Sequence, residues 1–214
     1  MELARKMMRF RLAHWTHRSR MVAPTALIPV ANGSEEIETV SLQDVLVRGG
    51  VQVTLAAVGG DEHNVVKMSR GLHIKADVAI GECTDLDFDL IVLPGGMPGA
   101  AHLRDCPDLI DMLRHQKRMG KWYGAICAAP AVVLHHHELL PTGPVTSYPS
   151  FEGKMPGAEY SSDRVVVTSN CVTSRGPATA MEMGVTLVQL LCGNEIAAAV
   201  AGGLLWNEPK DASQ

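Results

Sequence analysis

The chain has 214 residues, 46% of them hydrophobic and only 4% aromatic, enough for one large core built mainly from small and aliphatic side chains. Charge is uneven: residues 1–20 carry six basic side chains against Glu2 alone, while the remainder carries 13 basic and 22 acidic ones. So acidic a body argues against nucleic acid or an anionic membrane surface as partner, and no run approaches the roughly 18 uninterrupted apolar residues of a membrane span.

The basic leader, residues 1–20, places Arg5 and Arg9 at helical spacing and adds Met7, Met8, Phe10 and Leu12 as apolar surface. It fits a mitochondrial targeting peptide. It fits equally a start codon upstream of Met21, the true initiator in that case. Composition leaves both open, so a cytoplasmic or a mitochondrial location is expected. One domain is expected over residues 21–205, followed by a tail, 206–214. The five cysteines (83, 106, 127, 171 and 192) form no C-x-x-C pair, which speaks against zinc knuckles and disulfides and for a reducing compartment.

In chain order, Thr25–Val30 predicts a strand, and Ala31-Asn32-Gly33-Ser34 a turn and helix cap. Glu35, Glu36 and Glu38 load the first turn of a helix running to about Val47, with Glu35 and Glu36 read as solvated. Strands follow at Val51–Ala56 and, in shorter pieces around Ser69-Arg70-Gly71, between Met68 and Val78. Phe88–Leu93 is a buried strand ended by Pro94-Gly95-Gly96, and Cys106-Pro107 opens a helix through Arg118. Lys121-Trp122-Tyr123 reads as the approach of a short strand leading to a tight turn, and a helix is expected from Ala128 to about His136. Further strands are expected at Val145–Ser147, Arg164–Thr168 and Cys171–Ser174, and helices at Thr179–Leu191 and Asn194–Ala201. Strands alternating with helices imply an α/β fold, a parallel sheet covered on both faces, with ligands beyond the carboxyl ends of its strands.

Gly124-Ala125-Ile126-Cys127-Ala128-Ala129-Pro130 carries the chemistry. A side chain on a tight strand-to-helix turn tolerates only small neighbours, and a cysteine there faces the positive end of a helix. That setting favours thiolate over thiol. The other four cysteines lack it and read as packing residues. His135-His136-His137 cannot converge on one metal ion, because adjacent helical residues point about 100° apart. Gly95-Gly96-Met97-Pro98-Gly99 lacks the Lys-Ser/Thr ending of a P-loop.

Four segments in register resemble the ThiJ/PfpI superfamily, and within it the branch of the parkinsonism-associated protein deglycase and its bacterial relatives. They are Gly33-Ser34-Glu35-Glu36-Ile37-Glu38, Leu93-Pro94-Gly95-Gly96 with Gly99-Ala100, Ala125–Pro130, and Thr173-Ser174-Arg175-Gly176-Pro177-Ala178-Thr179. The resemblance implies a flavodoxin-like, doubly wound sheet related to class I glutamine amidotransferases, in a homodimer without cofactor or metal. It implies that Cys127 is the reactive cysteine and that Glu38 supplies a carboxyl group to its sulfur. Gly96 and Ala128 correspond to the backbone N–H groups of the oxyanion site, and Arg70 and Tyr148 to positions at the pocket. The helix bearing Ile37, Leu42 and Leu46 is the expected dimer contact.

Departures narrow the reading. The PfpI-type hydrolases carry histidine where this chain has Ala128, and the vertebrate members carry one where it has Tyr148, which cannot shuttle protons at neutral pH as imidazole does. Met68 stands where the vertebrate members have a peripheral redox cysteine. His136-His137-Glu138 formally fits the His-x-Glu of glutamine amidotransferases but lies too close to Cys127. The implied activity is a cofactor-independent cysteine enzyme detoxifying 2-oxoaldehydes (methylglyoxal, glyoxal) or their early protein and nucleotide adducts, of glyoxalase III or deglycase type. A redox-sensing chaperone acting through oxidation of Cys127 is the alternative, and a cysteine hydrolase a weaker one.

Overall fold

A computed structural model describes residues 23–206, so the expectations for the basic leader, and for the tail beyond Trp206, lie outside the described residues. The strands are β1 (Thr25–Ala31), β2 (Gln52–Val58), β3 (Val65–Lys67), β4 (His73–Lys75), β5 (Val78–Ala79) and β6 (Leu90–Leu93). They continue as β7 (Trp122–Ile126), β8 (Pro144–Val145), β9 (Glu159–Tyr160), β10 (Val165–Thr168) and β11 (Cys171–Ser174). Seven form one sheet in the order β10-β11-β7-β6-β1-β2-β5, parallel except for the β10–β11 hairpin. This is the expected doubly wound, mostly parallel sheet. β3 pairs with β4, and β8 with β9, in two small ribbons.

Alternation along each strand sends side chains to two cores. Leu27, Ile91, Leu93, Tyr123 and Ala125 face one core, covered by α2 (Gly99–Arg104) and α3 (Pro107–Met119). Ala26, Ile28, Leu90, Val92 and Ile126 face the other, covered by α1 (Glu36–Arg48), α4 (Ala180–Cys192) and α5 (Asn194–Gly203). Of the three residues that marked α1 as the expected dimer contact, Leu42 and Leu46 are wholly buried in that second core and Ile37 is exposed. The outward face of α1 also presents Val40 and Val47.

Several local expectations are corrected. The residue capping α1 is Glu35 rather than Ser34: its carboxylate accepts the Glu38 N–H at 2.8 Å. Ser34 is buried and its Oγ accepts the Ala31 N–H. Glu36 is no free surface acid, because it accepts from the Ser69 hydroxyl and the Arg70 N–H. α2 is not legible in the sequence, being a six-residue helix in which Leu103 is the one large apolar side chain and so gives no periodic stripe. The segment after Cys127 winds as a π-helix over Pro130–His135, not an α-helix. The three histidines of 135–137 diverge there: His135 bonds the Pro156 carbonyl and His137 the Arg104 carbonyl. Of the expected 145–147 strand only Val145 pairs, together with Pro144 before it, and Thr146 and Ser147 continue as buried loop.

Candidate active site

The strand order sets β7, β6 and β1 side by side, so the three loops leaving their carboxyl ends meet above the centre of the sheet. From β7 comes Cys127, from β6 Gly95 and Gly96, and from β1 the chain that enters α1 with Glu38 on its first turn.

Cys127 has φ of 63°, a left-handed conformation costly for a side-chain-bearing residue and typical of a nucleophile elbow. Neighbours on both sides hold it there. Its N–H donates to the Ser174 carbonyl at 3.0 Å, and its carbonyl accepts from the Tyr148 N–H at 2.8 Å. Cys127 is partly exposed, and the backbone N–H groups of Gly96 and Ala128 lie near enough to its sulfur to favour the thiolate.

Glycine is required at two positions of the crossing loop. A Cβ on Gly95 would lie 2.6 Å from the Cys127 Cβ and 2.9 Å from the Ala128 nitrogen. Gly96 has φ of 84°, and a Cβ there would lie 2.5 Å from the Gly33 carbonyl oxygen. Backbone amides can therefore approach the sulfur where no other residue type would permit it.

Glu38 is fully buried. Its Oε2 accepts the Gly95 N–H at 2.7 Å, while no N–H or O–H group among the described residues reaches Oε1. A buried carboxyl oxygen without a donor fits a protonated acid whose O–H points at the neighbouring sulfur. Burial pushes the Glu38 carboxyl up to about 7; the Gly95 amide opposes this, the Glu35 charge adds to it, and a hydrogen bond with Cys127 opposes it.

Burial also pushes the Cys127 thiol above its ordinary value, and the Glu38 charge pushes it further, against the Gly96 and Ala128 amides. The direction is opposite to the one read from the elbow motif. Two amides and the end of a π-helix offer less than a full α-helical N-terminus, and the sequence could not register how far the sulfur sinks beside a carboxyl group. The consequence is a coupled pair in which one proton serves two groups. With that proton on Glu38, the like-charge repulsion disappears and the thiolate keeps its two amides.

The other expected pocket residues stand further off. Arg70 is exposed; its main-chain N–H bonds Glu36, and its side chain makes no hydrogen bond among the described residues. The Tyr148 side chain is 44% exposed and lines, with Arg164 and Arg175, an open hollow of about 300 Å³ beyond the β11 end. Its contribution at the elbow is its backbone N–H. Gly95 was assigned no role from the sequence, yet it supplies the only hydrogen bond to Glu38 Oε2 among the described residues. The Leu93-Pro94-Gly95-Gly96 motif held that signal, since paired glycines after a buried strand free consecutive amides. Cys83, Cys106 and Cys171 are buried, and all five cysteines are unpaired. Among the described residues no group of three or more His, Cys, Asp or Glu side chains could hold a metal ion. No helix among them is long and apolar enough to cross a membrane.

Comparison with known proteins gives the same arrangement a lineage. Residues 24–190 match the model of the DJ-1/PfpI family. Protein DJ-1 homolog A of Arabidopsis thaliana is 41% identical over 172 residues, 80% of this chain and 43% of that protein, so the chain spans under half the length of that relative. The Caenorhabditis elegans protein described as glutathione-independent glyoxalase DJR-1.2 is 40% identical over 164 residues, covering 76% of this chain and 85% of its own. Among solved structures, oxidized Toxoplasma gondii DJ-1 superposes with a TM-score of 0.83 at 42% identity, over 87% of this chain and all of that one. A nucleophile elbow, a buried acid beside it and amides across from it thus sit on a flavodoxin-like sheet shared with these proteins, and the chain belongs to the DJ-1/PfpI family.

Proposed function

We propose that the protein is a cofactor-independent cysteine enzyme that converts 2-oxoaldehydes such as methylglyoxal and glyoxal into 2-hydroxyacids, or acts on their early adducts. The supporting observation is the buried Glu38 carboxyl, raised to about 7 beside the Cys127 sulfur, with its Oε1 lacking any other described partner. The Caenorhabditis elegans relative described as a glutathione-independent glyoxalase points the same way.

The steps balance without a redox partner. The Cys127 thiolate adds to the aldehyde carbon, forming the C–S bond, and Glu38 gives its proton to the aldehyde oxygen. The resulting carboxylate then takes the hydrogen of that carbon, and the electron pair forms an enediolate held by the Gly96 and Ala128 amides. One such oxyanion contact is worth about 3 kcal/mol. Glu38 returns the proton to the adjacent carbon while the first oxygen's proton moves to the second, leaving a 2-hydroxyacyl thioester. Water cleaves the C–S bond, releasing the hydroxyacid and restoring one proton to the pair. In the deglycase form, the same thiol takes the acyl-level carbon from an amine or thiol adduct.

A second reading, oxidation sensing, rests on the same donors, since a sulfinate on Cys127 would find the Gly96 and Ala128 amides and the Glu38 acid around it. One experiment separates the two: the full chain with methylglyoxal and no glutathione. Lactate accumulating over many equivalents per chain supports the enzyme. Consumption stopping at about one equivalent, with sulfinic acid forming on Cys127 under mild peroxide, overturns it in favour of the sensor.

A further inference from the structure

At the opposite end of the sheet from Cys127, a cleft of about 550 Å³ opens between α3 and the loop that leads into β6. Its floor is apolar, formed by Phe88, Ile91 and Met112, with Leu86 at the lip 57% exposed. Its rim carries four carboxylates. Asp87 pairs with Lys121 and Asp111 with Arg114, whereas Asp85 and Asp108 have no partner among the described residues. His115 and Arg118 close the far side.

Gln116 in the cleft wall indicates what the cleft receives. It is only 2% exposed, and its Nε2 donates to the Phe88 and Trp122 carbonyls. Those two bonds settle which end of the amide is nitrogen, and they leave Oε1, which no described donor reaches, open to the cleft. A solvent-reachable amide acceptor on an otherwise buried side chain, beside two unpaired carboxylates and above an apolar floor, suits a ligand with N–H cations on one side and hydrocarbon on the other.

The chain carries such a segment at the right place. β1 begins at Thr25, whose N–H and hydroxyl are both held by Asp89, immediately after the loop that forms the cleft's lip. The first strand of the described fold therefore starts beside Asp89, the residue that follows the cleft's lip. Residues 1–20 hold Arg5, Lys6, Arg9, Arg11, Arg18 and Arg20 against one acid, together with Met7, Met8, Phe10 and Leu12. We propose that the cleft is the intramolecular docking site of the basic residues 1–20, with their cations on Asp85, Asp108 and the Gln116 Oε1 and their apolar side chains on Phe88 and Met112. The contact does not depend on the chemistry at Cys127.

Limited trypsin digestion of the full chain at low salt tests this, with cleavage at Arg9, Arg11 and Arg18 timed by mass spectrometry against a free peptide of residues 1–20. Docking predicts cleavage about tenfold slower in the chain than in the peptide, since proteolysis follows the open population. The protection should be lost in Asp85→Asn/Asp108→Asn and in wild type at about 0.5 M salt, where surface charges are screened. An unchanged Cys127 alkylation rate confirms that the variant is folded. Carbodiimide treatment of the unmutated chain should also join Lys6 to Asp85 or Asp108. Equal cleavage of chain and peptide, or protection that grows with protein concentration and so reports a second copy, would overturn the proposal.

Discussion

Cys127→Ala is expected to reduce lactate formation from methylglyoxal by about a thousandfold or more, down to the background of the uncatalysed reaction. The size follows from the sulfur's place in every step of the proposed reaction, where it would form the bond that holds the substrate and leave when water releases the acid. Alanine at this position keeps the left-handed backbone that Cys127 already adopts, and the Ser174 and Tyr148 hydrogen bonds that hold it involve only main-chain atoms of residue 127. The fold should persist while turnover disappears. Unfolding midpoints of the two proteins within a few degrees of each other would confirm that activity was lost by chemistry and not by collapse.

The second large effect concerns stability. The Glu38 carboxyl has its folded value raised from 4.5 to about 7, with burial the leading cause. Between those pH values the folded protein keeps a proton that the unfolded chain has released. Stability from this group is therefore complete below about pH 4.5 and declines as pH rises to about 7. At 1.36 kcal/mol per pH unit the decline amounts to about 3 kcal/mol. Glu38→Gln keeps an acceptor for the Gly95 N–H and carries no titrating proton, so its stability should lack this slope. Urea unfolding of both proteins from pH 4 to 8 checks it: the Gln variant should gain on wild type steadily across the window. A difference independent of pH would show that Glu38 is an ordinary ionised acid. The same substitution should stop turnover, because an amide cannot carry the proton between adjacent carbons. Gain of stability with loss of activity is the signature of a group kept for chemistry.

The parts of the molecule that could be read from sequence are those where a single physical pattern decides. Leu90–Leu93 and Thr25–Val30 announce buried parallel strands because every residue in them must tolerate burial. Cys127 stands out because an elbow admits only small neighbours. Glu38 was harder. Three acids crowd the start of α1, and their fates differ for reasons that only tertiary structure supplies. Glu35 turns back to cap the helix, Glu36 clamps the Ser69–Arg70 loop, and Glu38 points inward to the loop after β6. The resemblance singled out Glu38, whereas helical periodicity alone would have left it on the surface. α2 was invisible because a short helix with one large apolar side chain, Leu103, has no stripe to read. The elbow motif predicts the opposite direction for the Cys127 thiol because a motif registers a helix terminus but not depth, and at this sulfur burial outweighs the amides.

Whether Cys127 and Glu38 share one proton is read from the pH dependence of Cys127 alkylation, followed on its own peptide by mass spectrometry. Coupling predicts two steps in wild type: a rise near neutrality to a plateau as the first proton leaves the pair, and a second rise well above it. In Glu38→Gln a single step should remain, at an intermediate pH. One identical step in both proteins would mean that the two groups titrate independently and share no proton.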